Sequence, residues 1–158
     1  MRVDMVRAYV ESLLERLTGN EKVVADTDGD YPVRYKDALY YVRLIGESDP
    51  VVQVFATAVA GVPSSPALLE KLNEVNSLIR FARVFWVREQ VLVESDLVGQ
   101  TIDPEEFDSA CRAVATITDH YGPLLVKEFG GKTSFADEKA EAAADDKPPA
   151  SPGTGLYL

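Results

Sequence analysis

Apolar residues recur at three- and four-residue spacing from the start of this chain. Val3, Val6, Val10, Leu13, Leu14 and Leu17 fall on one face of a predicted helix, and Gly19-Asn20 marks its stop. The period then shortens towards two. The segments Lys22–Thr27 and Tyr31–Tyr35 flank a turn at Asp28-Gly29, and Leu39–Ile45 and Val51–Ala60 read as the next strands. Ser65 suits a helix N-cap and Pro66 the first helical position, with Leu68, Leu72, Val75 and Ile79 as the buried stripe. Ala82–Arg88 and Val91–Leu97 form a hairpin about Glu89-Gln90. Asp103, Pro104 and Glu106 open the last helix, whose apolar face carries Phe107, Ala110, Cys111, Val114, Ile117 and Tyr121. Gly122-Pro123 should bend or interrupt it before Leu124–Phe129 resumes. The expected order is α-β-β-β-β-α-β-β-α, an α+β domain with an antiparallel sheet and three flanking helices.

The strands carry more than their order. A half-buried strand alternates apolar and polar residues, whereas Leu39–Ile45 is apolar on both faces apart from Arg43, and Val51–Val59 nearly so. Either the helices divide between the two sheet faces, or all of them cover one and leave an apolar patch on the other. Such a patch marks an association surface. It would serve homodimerisation or the capture of a partner peptide. Tyr41, Phe55, Trp86 and Val93 are the candidate partner-binding residues.

Composition sets the bounds. With 158 residues, 46% hydrophobic and 27% charged, the chain supports one core and not two. A break at Gly130-Gly131 separates a domain over 1–131 from a tail over 132–158. The tail is acidic and rich in Ala and Pro, a composition expected to be disordered. Phe135 and the terminal Leu156-Tyr157-Leu158 depart from that composition, and chance accounts for them more simply than docking. A net charge of −10 disfavours nucleic acid and membrane surfaces as partners. The charged start MRVDMVRAYVESLLERL is unlike a signal peptide, and the single Cys111 excludes an intrachain disulfide framework, so a cytoplasmic protein is expected.

Catalytic chemistry was sought among the few residues able to supply it. Cys111 and His120 stand nine positions apart on one helix. At roughly 100° per residue that separation turns their directions about 180° apart, which places the thiol in the core and the imidazole in solvent. The run Asp26-Thr27-Asp28-Gly29-Asp30 lacks the glycine and glutamate spacing of a calcium loop, and a hairpin turn explains it better. Glu94 and Asp96 alternate on a strand and share a face; they read as a solvated strand end, with an acid–base or small-ligand site as the lesser reading. No dinucleotide, phosphate-loop or zinc motif is present. No catalytic, cofactor-binding or metal-binding residue is therefore assigned.

The element order, the Asp28-Gly29-Asp30 turn before Tyr40-Tyr41, the strand Val91–Leu97 and the helix start Asp103-Pro104-Glu105-Glu106-Phe107 together resemble the YbjN family. The resemblance spans roughly residues 3–130. YbjN proteins are related in fold to the specificity chaperones of type III secretion systems. The resemblance implies a compact α+β fold, commonly homodimeric, which binds an extended client segment on apolar surface and carries no catalytic residues. The expected function is a non-enzymatic, chaperone-like binding domain; the alternative is a regulatory module in a stress or sensory-transduction pathway.

Overall fold

Three capping devices set the helices. The computed structural model describes residues 2–36, 38–133 and 156–157. Helix α1 (Val3–Thr18) ends where Gly19 adopts a left-handed φ of 73° and returns its N–H to the Glu15 carbonyl. Helix α2 (Pro66–Leu78) begins with the Ser65 side chain accepting from the Leu68 N–H at 3.1 Å. Helix α3 (Pro104–Phe129) begins with Asp103 accepting from the Glu106 N–H at 2.8 Å. The α1 stop and the α2 and α3 starts agree with the sequence reading, whereas Ile79, expected in the α2 stripe, lies just beyond the helix in extended conformation. No helix among the described residues is long and apolar enough to cross a membrane.

The strands are β1 (Tyr31–Tyr35), β2 (Ala38–Ile45), β3 (Val51–Ala60), β4 (Arg83–Val87), β5 (Gln90–Val98) and the short β6 (Leu156–Tyr157). They form one sheet in the order β4-β5-β3-β2-β1-β6. Every pairing is antiparallel except β1 with β6, which is parallel. The α+β architecture is the expected one, with three local corrections. First, no strand forms over Lys22–Thr27. The Asp26 carboxylate instead accepts from the N–H groups of Asp28 and Asp30, both at 2.9 Å, and the Asp26 N–H donates to the Asp30 carbonyl at 2.7 Å. These bonds fold the chain on itself at Asp26 and take up an N–H that a ladder would have used, while Val23 anchors the segment in the core.

Second, the hairpin turns at Arg88-Glu89, one residue earlier than expected, with Val87 opposite Gln90. Both turn residues hold positive φ, 48° and 60°, as a two-residue hairpin with the right twist requires. Third, α3 runs unbroken through Gly122-Pro123. The missing Gly122 side chain lets the helix approach β3 closely, since a Cβ there would lie 3.0 Å from the Ala58 carbonyl oxygen. After α3, Gly130 and Gly131 turn the chain back, and Lys132 exchanges backbone hydrogen bonds with Ala60 at 2.8 and 2.9 Å. The rest of the predicted tail, apart from Thr133 and the two residues of β6, lies outside the described residues.

All three helices lie on one side of the sheet. The strand residues facing them, among them Tyr31, Val33, Tyr40, Val42, Val52, Val54, Ala56, Ala58, Val84, Val91 and Val93, are buried with Val6, Val10, Leu14, Leu68, Leu72, Phe107, Val114 and Leu125. The sheet's other face receives no helix. Of the two arrangements open to the sequence, the one-sided arrangement is therefore the one adopted.

Gly99 closes the far end of the β3–β5 ladder, donating its N–H to the Pro50 carbonyl at 2.9 Å. A Cβ at this position would lie 2.4 Å from that same carbonyl oxygen and 3.0 Å from Val6. Gly99→Ala is therefore expected to cost about 1–3 kcal/mol through forced backbone movement. Urea unfolding with an unchanged m-value checks it; an unaltered midpoint would contradict the close approach.

Candidate functional site

The uncovered face is built row by row from the strand register. Ile45, Val51 and Val98 form one row; Arg43, Gln53 and Asp96 the next; Tyr41, Phe55, Glu94 and Arg83 the third; Thr57, Leu92 and Phe85 the fourth. Apolar rows thus alternate with charged groups. Tyr41 and Phe55 stack with centroids 5.4 Å apart and planes inclined by 21°. Arg43 lays its guanidinium over the Phe55 ring at 4.6 Å, and Arg83 lies 5.4 Å from the Phe85 ring. Ile45 and Val98 are exposed at the end of the sheet.

The charges on this face satisfy one another. Arg43 donates through Nε and Nη2 to the two carboxylate oxygens of Asp30, both at 2.7 Å, a bidentate pair with a buried partner. Arg83 bridges Glu94 at 2.8 Å and Asp96 at 3.2 Å, and Gln53 donates to Asp96 at 2.9 Å. The bonds to Asp30 and Glu94 hold the Arg43 and Arg83 guanidinium groups above their ordinary pKa, with partial burial opposing. Glu94 and Asp96 do share a face, as the sequence indicated, but a cation and an amide already engage them. Two grooves lie on the helical side, one lined by Leu13, Leu17 and Phe107 and the other by Ile79, Phe81 and Ile117; neither includes these carboxylates. Among the described residues no group of three or more His, Cys, Asp or Glu side chains could hold a metal ion.

The four candidate partner-binding residues separate by register. Tyr41 and Phe55 lie together on the open face. Val93 pairs with Ala56 and Val84 on the opposite face and is fully buried, which corrects its reading as accessible surface. Trp86, opposite Val91, is also on the helical side; it is half-buried against the core and donates its indole N–H to the Val62 carbonyl at 2.8 Å. The misplacement has a simple cause. β4 carries an aromatic on each flank, Phe85 and Trp86, so alternation there does not say which faces the helices, whereas on β5 the shared face of Glu94 and Asp96 does place Val93 on the other flank. Arg43, Gln53, Arg83 and Phe85 went unnoticed as members of the face, although their two-residue spacing from Tyr41, Phe55 and one another carried the signal.

Cys111 and His120 separate as the helical geometry required. Cys111 is buried on the sheet side of α3, and His120 is exposed, packed edge-on against Tyr121. Burial pushes the Cys111 thiol up to about 12. Burial likewise drives the nearby Tyr40 hydroxyl far above its ordinary value. Its oxygen meets no well-aligned hydrogen-bond partner among the described residues, and its polar neighbour is the Cys111 thiol.

The fold and the open face invite comparison with known proteins. The family model described as "T3SS (YopN, CesT) and YbjN peptide-binding chaperone 1", TY-Chap1, matches residues 4–137. The chain belongs to the TY-Chap1 family. No curated individual protein matches its sequence. Solved structures similar to this TY-Chap1 chain include the ExsC–ExsE complex, at 14% identity and a TM-score of 0.59, covering 79% of this chain and 97% of the other. The Yersinia pestis type III secretion chaperone SycH, in complex with a fragment of YscM2, matches at 17% identity and a TM-score of 0.52, covering 69% and 96%. The ExoU–SpcU complex from the type III secretion system of Pseudomonas aeruginosa matches at 13% identity and a TM-score of 0.52, covering 73% and 96%. At these identities the likeness establishes the fold, which is that of the secretion chaperones.

Two core predictions follow. Cys111 in the native protein is expected to resist iodoacetamide up to about pH 9 and to react promptly once denatured, as followed by mass spectrometry; fast native labelling would contradict its burial. Tyr40→Phe removes a buried hydroxyl whose polar neighbour is only the weakly bonding Cys111 thiol, and is expected to change stability by less than about 1 kcal/mol. A clear loss in chemical denaturation would show that the Tyr40–Cys111 contact contributes more than a thiol normally does.

Proposed function

We propose that this TY-Chap1 domain is a non-enzymatic, chaperone-like protein-binding module whose open sheet face receives either a second copy or an extended segment of a partner protein. The observation that carries the reading is the one-sided packing, which leaves Tyr41, Phe55, Leu92 and Phe85 on a face without a helix. The stacked Tyr41–Phe55 pair lies near the centre of that face and supplies rigid apolar area at low conformational cost. Around it, the internally paired Arg43–Asp30 and Arg83–Glu94–Asp96 groups form a polar rim, so a partner need not leave a bare charge buried. The family's description as peptide-binding, and the partner-bound secretion complexes among its structural relatives, support the same reading.

The reading predicts a surface effect without loss of fold. Tyr41→Arg combined with Phe55→Arg should weaken self-association or partner binding by about 2 kcal/mol or more, roughly thirtyfold, while the circular dichroism spectrum is retained. Light scattering reads the dimer. A photo-crosslinking p-benzoylphenylalanine at position 55 reads the partner: crosslinks to a second copy indicate homodimerisation, and crosslinks to another chain indicate peptide capture. A monomeric wild type that gives no crosslink from position 55 in its native cell would defeat the proposal.

A further inference from the structure

A sheet exposes backbone at its edges as well as side chains on its faces, and edges recruit strands unless something covers them. In the antiparallel part of this sheet the outer strands are β4 and β1. The two edges are treated differently. At β4 the Asn76 side chain donates to the Val84 carbonyl at 2.8 Å and accepts from the Val84 N–H at 2.9 Å. That amide reproduces the bonds of a neighbouring strand at Val84, near the start of β4, and caps that part of the edge from within the domain. β1 presents outward only Pro32, which has no N–H, and Arg34, and the backbone beside them is that of β6, with Val33 opposite Leu156 and Arg34 opposite Tyr157, running parallel.

We infer that the outer edge of β1 is a strand-addition site and that the chain's own C-terminal Leu156–Tyr157 is its resident occupant. The sequence fits the role. Leu156-Tyr157-Leu158 is an apolar, strand-compatible end on a stretch otherwise made of Ala, Pro, Gly, Ser and charged residues. The connection from Thr133 is roughly 20 residues of such composition, whose greatest reach of about 70 Å exceeds the diameter of a small domain. Tethering of this kind holds the terminal segment at an effective concentration in the millimolar range. Two paired residues make a weak contact, so the occupant protects the edge yet yields to a longer strand. A competitor would be an extended partner segment that brings more backbone pairs and apolar alternation to β1. This rests on the peptide-binding reading only for the nature of the competitor; the self-occupancy stands on β1 alone.

The test uses the full chain and compares it with Leu156→Pro/Tyr157→Pro, since proline cannot donate to a ladder. Amide hydrogen exchange by NMR should show the outward N–H of Arg34 exchanging roughly tenfold faster in the variant, with the Val33 and Tyr35 amides, which face β2, and the β3 amides unchanged. A fluorescent peptide of residues 153–158, added in trans, should bind the variant several-fold more tightly than the wild type, because the intramolecular competitor is gone. Equal β1 exchange in both proteins would overturn the inference. So would β1 protection that falls on dilution together with the molecular mass, which would assign the pairing to a second copy. Tyr41→Arg/Phe55→Arg should leave β1 protection intact, so failure at the edge and failure at the face are read separately.

Discussion

The close approach of α3 to the middle of the sheet is the contact on which the remaining structure depends. Ala56 and Ala58 on β3 present little side chain, and Gly122 on α3 presents none, so helix and strand backbones come nearly into contact there. A long helix seated across β2, β3 and β5 occupies the centre of one face. It leaves flanking positions for α1, which packs beside α3, and for α2, which packs on β4. Buried Phe107, Val114 and Leu125 then share one core with Val6, Val10, Leu68 and Leu72. Three helices gathered around one contact cannot also cover the opposite face, and the open surface follows from the packing itself.

An open β face needs a reason not to aggregate, and its own side chains supply one. Arginines lie over aromatic rings, and each of these arginines also holds a carboxylate, so apolar rows are interrupted by satisfied charge. In each pair the arginine is exposed and the carboxylate buried, so the arginine keeps a buried charge from standing alone. The pairs also serve solubility and register: Arg43 locks β2 to the Asp30 turn, and Arg83 locks β4 to β5. The same arrangement makes the face selective, because a partner must supply apolar contact near Tyr41–Phe55 while tolerating the paired charges around it.

Much of this was legible from residue spacing. Ser65-Pro66 and Asp103-Pro104 placed two helix starts, because capping is a local matter decided within four residues. The extra strand at Lys22–Thr27 was misread, because an aspartate that bonds its own turn cannot be told by pattern from one that flanks a ladder. Alternation located Tyr41 and Phe55 together but could not assign a side to Trp86, since β4 carries aromatics on both flanks, whereas the Glu94–Asp96 alternation on β5 held the signal that places Val93 inside. Which flank meets the helices is fixed by tertiary packing around α3. The Arg43–Asp30 and Arg83–Glu94 pairs join residues 11 or more positions apart, and only the folded register brings them together.

Face and edge offer a partner different chemistry, and the difference bears on how a chaperone-like domain can hold a segment without trapping it. Side-chain contact on the open face distinguishes partners, because it depends on where their apolar and charged groups fall. Backbone pairing along β1 distinguishes little, because any extended chain provides N–H and C=O groups. A site of the second kind, left open, would take strands indiscriminately, including those of other copies. With Asn76 capping Val84 on β4 and Leu156–Tyr157 lying beside β1, the proposed exchange of that segment would confine strand addition to one edge. It also sets a threshold there: an incoming segment must out-compete a tethered neighbour before it can pair. Selectivity that the edge lacks in its own chemistry is thereby obtained from competition.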